Sequence, residues 1–255
     1  MAIYDKENLS KNVMIDLSDV LPIYPTRLKI CIINFSYKIM DALIEDGVIE
    51  LLPGDQHIHS VAKIYHMYRV KGTDIGVINT TVGAPITSGL IEEVGYCYGC
   101  KKFVMFGSCG GLDPKLTAGK LIVPTHAFRD EGTSYHYYDG GDYIPIKNYG
   151  VVEAVLKSLN IDHVLGKTWT TDSFYRETKE RFSKLKAEGC IAVEMEVSAC
   201  QAVADFRGHD FYCFLYRADA LDTSGWDKSI LSDITLDLRL THFYIALALA
   251  KSLIA

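Results

Sequence analysis

The chain has 255 residues, 49% hydrophobic and 23% charged, a composition typical of globular proteins with room for a sizeable core. A formal net charge of −6 and a pI near 5.7 exclude a general nucleic-acid or anionic-membrane binder, and no basic stripe interleaved with aromatics offsets that balance. Seven cysteines, an odd number set mostly in apolar segments, favour reduced core thiols over a disulfide framework.

Residues 1–27 read as an N-terminal extension, and their start lacks the basic segment and apolar core of a secretory signal. LKICII at 28–33 predicts a buried strand, and SYKIMDALIEDG at 36–47 a helix ending at Gly47. Residues 61–81 predict a hairpin turning at Lys71–Asp74. APITSGLIEEVGYCYG at 84–99 predicts a helix with Pro85 near its start. Its end carries Cys97 and Cys100, a lone CxxC. The pair reads as two thiols at a helix end, with His57 and His59 a weak offer of further metal ligands; no metal is expected.

Further strands are predicted at 102–107, 120–128, 163–169 and 210–217, and further helices at 147–159, 176–189, 196–208 and 233–254. The Tyr- and Gly-rich stretch 130–143 reads as a long loop, a place where function often sits. The longest apolar run, FYIALALA at 243–250, is shorter than the about 20 residues a bilayer span needs, so the protein is expected to be cytoplasmic. Alternating strands and helices without a dividing linker predict one α/β domain over 1–255. It is expected to be a sandwich with a central mixed, largely parallel sheet flanked by helices.

Four segments carry candidate chemistry. CIAVEMEVSAC at 190–200 sets Glu194 and Glu196 around Met195 in an apolar run. Buried carboxylates need either a cation or a cavity that awaits a ligand. At Gly107–Gly111, a strand ending in GSCGG offers small residues and the Ser108 hydroxyl to an anion, or is simply a tight turn. TTDSFYRET at 170–178 brings Phe174 and Tyr175 to a strand end, as stacking surface or as core. FLYRADALDTSGWDK at 214–228 places Asp219 and Asp222 at a strand mouth, as site or as turn and cap. Taken together, four strands deliver Ser108, Phe174, Glu194/Glu196 and Asp219 to their C-terminal ends, where open α/β sheets bind ligands.

The order GSCGGLDPKLTAGKLIVP, RDEGTSYHY, TTDSFYRET, AVEMEVSA, RADALD resembles the nucleoside phosphorylase family, from about residue 28 to the C-terminus. That family includes hexameric purine nucleoside phosphorylases, uridine phosphorylases and methylthioadenosine/adenosylhomocysteine nucleosidases. The resemblance implies that Glu196 accepts hydrogen bonds from the ribose 2′- and 3′-hydroxyls, with Met195 under the sugar and Glu194 shaping the same pocket. It implies that Phe174 and Val193 bind the base, and that Asp219 protonates purine N7 as the base leaves. Gly107 and Ser108 would contact phosphate, and Lys38 stands near a family arginine.

The chain departs from the family at Met105, where phosphorylases carry an arginine, and at Asn34, where they carry a glycine. Nucleosidases place a water-activating glutamate near the first helix; the stretch 34–40 offers only Lys38. RETKER lacks the Gln-x-Arg of uridine phosphorylases, which with Asp219 favours purine; Ala218 replaces the usual serine before that aspartate. The expected activity is phosphorolysis of a purine nucleoside to free base and ribose 1-phosphate, with inorganic phosphate as co-substrate, no cofactor, and a homo-oligomer (dimer or hexamer). The alternatives are a hydrolytic nucleosidase and a non-catalytic nucleoside-binding protein.

Overall fold

A computed structural model describes residues 6–10, 12–60, 63–222, 225–227 and 235–254. Its strands are β1 (Ile30–Asn34), β2 (Ile49–Leu51), β3 (Ile58–His59), β4 (Ile64–Tyr65), β5 (Met67–Val70), β6 (Ile75–Asn79), β7 (Lys102–Gly111), β8 (Leu121–Asp130), β9 (Tyr143–Pro145), β10 (His163–Thr171), β11 (Cys190–Glu194), β12 (Asp210–Asp222) and β13 (Gly225–Asp227). Its helices are α1 (Leu17–Val20), α2 (Tyr37–Glu45), α3 (Ala84–Tyr98), α4 (Pro114–Thr117), α5 (Tyr149–Ser158), α6 (Lys179–Ala187), α7 (Val197–Arg207) and α8 (Leu236–Ser252).

The result is the expected α/β architecture with a mixed sheet. β1 pairs in parallel with β6 and β7, β10 with β8 and β11, and β12 with β7. Antiparallel pairings add β5 to β6, β2 to β5, β9 to β8 and β13 to β12. The apolar run of β1 is buried at every position, as a parallel strand covered on both faces requires. One core lies between the sheet and α3 and α7, and a second between the sheet and α2, α5 and α8. The extension is docked at Tyr24, whose backbone N–H donates to Cys97 O and whose hydroxyl donates to His57 O.

The sheet also curls. β7, β12, β8, β10 and β11 form a closed ring of pairings, since β12 touches both β7 and β8 and β11 touches both β10 and β7. Two expected boundaries are corrected by this closure. β7 does not end at Gly107 in a glycine-rich turn; it continues through Gly111 and bends to pair with β11. β12 does not stop at Arg217 but runs to Asp222. The glycines serve close approach here. A Cβ on Gly110 would come within 2.9 Å of both Leu221 Cδ1 and Val193 Cγ1.

Candidate active site

A cavity of about 440 Å³ opens where β7, β11 and β12 converge. Ser108, Val193, Glu194, Met195, Glu196, Phe174 and Asp219 line it, so one hollow gathers the ribose, base and acid candidates from four separate segments.

Glu194 ends β11 and Glu196 precedes α7. The Glu194 carboxylate accepts from Thr170 Oγ1 at 2.6 Å, from Thr168 Oγ1 at 3.2 Å, and from the backbone N–H of Glu196 and Val197, both at 2.7 Å. It therefore satisfies the open N-terminus of α7 and needs no cation. Glu196 accepts from the Gly83 backbone N–H at 2.6 Å. Gly83 has φ +122°, a conformation that favours glycine, and this orients its N–H toward the carboxylate. Burial raises both acids, Glu194 to about 7 and Glu196 to about 8; the negative charge of Glu194 adds to the rise of Glu196.

Asp219 reaches the cavity through a bulge. Arg217 opposes Cys109 and Asp219 opposes the next residue, Gly110, leaving Ala218 unpaired and re-aiming the strand. Asp219 Oδ2 accepts from Trp226 Nε1 at 2.6 Å, so the indole of β13 gives it a hydrogen-bonding neighbour that the Ala218 side chain cannot provide. Burial raises the Asp219 carboxyl, with the indole hydrogen bond working against the rise. Phe174 is 46% exposed, its ring edge-on to Tyr175, and offers free aromatic surface to the hollow.

The phosphate candidates do not assemble as expected. Ser108 lines the cavity, but Gly107 is buried behind the Phe35 ring, and a Cβ there would meet Phe35 at 3.1 Å. Lys38 is an exposed residue of α2 and does not line the cavity. Asn34 is wholly buried as a structural residue: its Oδ1 accepts from the Ser36 N–H, and its Nδ2 donates to Ile78 O. Met105 is core. Among the described lining residues the charged ones are acids: Glu177, Glu194, Glu196 and Asp219.

Glu177 and Trp226 are among the lining residues that the sequence reading did not name as site residues. Glu177 sits three positions after Phe174, a spacing that could have flagged it. Trp226 reaches the site only because β13 folds back on β12 with Trp226 opposite Leu221, a long-range fact that no local pattern carries. The loop 130–143 is built around buried Arg129, which donates to Ser134 Oγ, Gly140 O, Gly141 O and Tyr138 O. It lines a separate hollow beside α3 rather than this cavity. Cys97 and Cys100 are buried. Of the nearby histidines, His57 accepts from the Met67 N–H and His59 pairs with Asp55.

Residues 29–233 match the family model described as Phosphorylase superfamily. The chain belongs to the phosphorylase superfamily. Within that superfamily it is 31% identical over 139 residues to a DeoD-type purine nucleoside phosphorylase of Shewanella oneidensis, covering 53% of this chain and 59% of that protein. A DeoD-type enzyme of Caldanaerobacter subterraneus subsp. tengcongensis is 27% identical over 192 residues, covering 68% of this chain and 83% of that protein. The chain thus spans about three fifths of the length of the first relative. Among solved structures, futalosine hydrolase of Helicobacter pylori superposes with TM-score 0.70 at 16% identity, covering 88% of this chain and 98% of that one. Purine nucleoside phosphorylase of Toxoplasma gondii, bound to immucillin-H, superposes with TM-score 0.68 at 22% identity, covering 93% of each. These structural likenesses establish the shared fold. No helix among the described residues is long and apolar enough to cross a membrane.

Proposed function

We propose that this superfamily member cleaves the N-glycosidic bond of purine nucleosides. The observation that carries the reading is that Glu196 and Asp219 face one cavity with an exposed aromatic ring between strand ends. Bond cleavage develops positive charge on the ribose and negative charge on the base. Burial, with the charge of Glu194, raises the Glu196 carboxyl to about 8 and so favours its neutral form. A ribose diol supplies it with donors, and the developing oxocarbenium favours its ionised form, so the interaction strengthens toward the transition state. Asp219, with its carboxyl raised by burial, delivers a proton to N7 of the departing purine while Phe174 and Val193 contact the ring.

The described lining supports water as the acceptor. Among the described lining residues no cation meets a phosphate dianion and Ser108 is its only expected side-chain partner, whereas water carries no charge to be neutralised. Phosphorolysis is the second reading. It is favoured by Ser108 and by the purine nucleoside phosphorylase names of the relatives above. Under either reading residues 1–255 act as one domain, with 1–27 as its N-terminal extension, in the homo-oligomeric form that the family resemblance implies.

A panel of purine and pyrimidine nucleosides, assayed with and without phosphate and with sugar products identified, tests both halves. Free ribose formed at full rate in phosphate-free buffer supports hydrolysis. Ribose 1-phosphate formed only with phosphate establishes phosphorolysis. No purine cleavage under either condition overturns the proposed activity.

A further inference from the structure

The Glu177 carboxyl is a charged group in this cavity that the proposed chemistry does not use. It lines the hollow with Asp219, Phe174, Leu221 and Trp226, and it has no hydrogen-bond partner among the described residues. Glu194 differs, being saturated with donors. Asp219 lies near enough for its charge to act on Glu177. On a purine, N7 and the C6 substituent share one edge. A base that meets Asp219 at N7 therefore turns its C6 substituent along the same edge, within a cavity whose wall also carries Glu177.

We propose that Glu177 is the specificity-determining residue for the purine 6-position, reading the C6 substituent beside the N7 that Asp219 protonates. The inference rests on the purine reading above. A 6-amino group is a donor and needs an acceptor, the carboxylate. A 6-oxo group is an acceptor and needs a donor, the carboxylic acid. A site built to hydrogen-bond one substituent discriminates against the other because the mismatched pair is left buried and unsatisfied.

One side chain presents both forms in turn. Burial, and secondarily the charge of Asp219, raise Glu177 to about 7. The groups facing it across the cavity are Asp219 from β12, and Glu194 and Glu196 from the β11–α7 junction. Asp172, two residues before Phe174, adds another acid on the same chain segment, and the cations beside Glu177 in sequence, Arg176 and Lys179, are exposed. Below its pKa Glu177 donates and suits a 6-oxopurine; above it, Glu177 accepts and suits a 6-aminopurine.

The test measures kcat/KM for adenosine, inosine and purine riboside, which lacks a C6 substituent, between about pH 5.5 and 8. Normalising to purine riboside cancels the titration of Glu196 and Asp219, which all three substrates share. The adenosine-to-inosine ratio of the wild-type protein is expected to rise by about tenfold or more across that range. In Glu177→Gln, whose amide both donates and accepts, the ratio should become flat with pH. In Glu177→Ala both substrates should fall toward purine riboside, and melting curves of both variants report that the fold is kept. A wild-type ratio that does not change with pH overturns the proposal, as does a Glu177→Gln ratio that still tracks wild type. Failure of the purine reading looks different: the wild-type protein then cleaves none of the three purine substrates, which overturns both inferences together.

Discussion

At the scale of single residues, the Glu194–Glu196 pair shows two like side chains, two positions apart, given different tasks by their hydrogen bonds. Glu194 is occupied by the α7 N-terminus and two threonines; Glu196 keeps one main-chain donor and an open side toward the cavity. Glu196→Gln should lower kcat/KM by about 100-fold or more on any accepted nucleoside, since the charge-stabilising group is lost. Its effect on stability has the opposite sign. A carboxyl raised to about 8 in the folded state stabilises fully below its ordinary value of 4.5, and that contribution is lost as pH rises through about 8. The glutamine variant should therefore match or exceed wild type in unfolding free energy at alkaline pH, by about 1–3 kcal/mol, and lose that advantage under acid. Thermal melts at the two pH extremes measure this. Asp219→Asn should slow ordinary purine nucleosides by about 10²–10⁴-fold and slow a 7-methylated purine nucleoside much less. Equal losses on both substrates would assign Asp219 a structural role instead.

At the scale of elements, the bulge at Ala218 and the glycines of β7 decide where side chains point. Gly110 lies opposite Val193 on β11 and Asp219 on β12, and a Cβ there would also press on Asp219 Oδ1 at 3.1 Å. Gly110→Ala should cut kcat about 10-fold or more while removing no reacting group, because small displacements of a catalytic group such as the proposed acid Asp219 are costly. An unchanged kcat in a folded variant would show that the strands yield. This junction also marks where sequence reading stops. The buried strand at 30–34, the hairpin around Lys71–Asp74 and the long helices were legible because each is announced by local periodicity and punctuation. That Glu196, Phe174 and Asp219 would meet at one cavity was legible through motif resemblance. The continuation of β7 past Gly107 was not, because GSCGG looks locally like a turn and becomes strand only through partners 80 or more positions away. Lys38 does not join Ser108 in lining the cavity for a related reason. Its helix position is right in sequence, but Phe35 occupies the space above Gly107 toward which it was assigned.

At the scale of the molecule, the cysteines support the reading of reduced core thiols: Cys31, Cys97, Cys100, Cys109, Cys190, Cys200 and Cys213 are all free and buried. Burial raises their thiols, Cys97 to about 11 and Cys100 to about 12, so neither reagent nor thiolate is available in the native state. A thiol titration should find essentially none reactive in native protein and all seven after denaturation. Rapid native reactivity at any of them would reveal a local opening. The closed ring of pairings has a consequence of another kind. Because Gly110 is the shared neighbour of Val193 and Asp219, these two candidate base-site residues hang from one point on three different strands. A slip of a single residue there turns every side chain to the opposite face. Such a molecule has no half-assembled version that still works. Along a urea gradient, catalysis and far-ultraviolet ellipticity should vanish at the same midpoint, so turnover serves as a gauge of whether these three strands have found their one correct alignment.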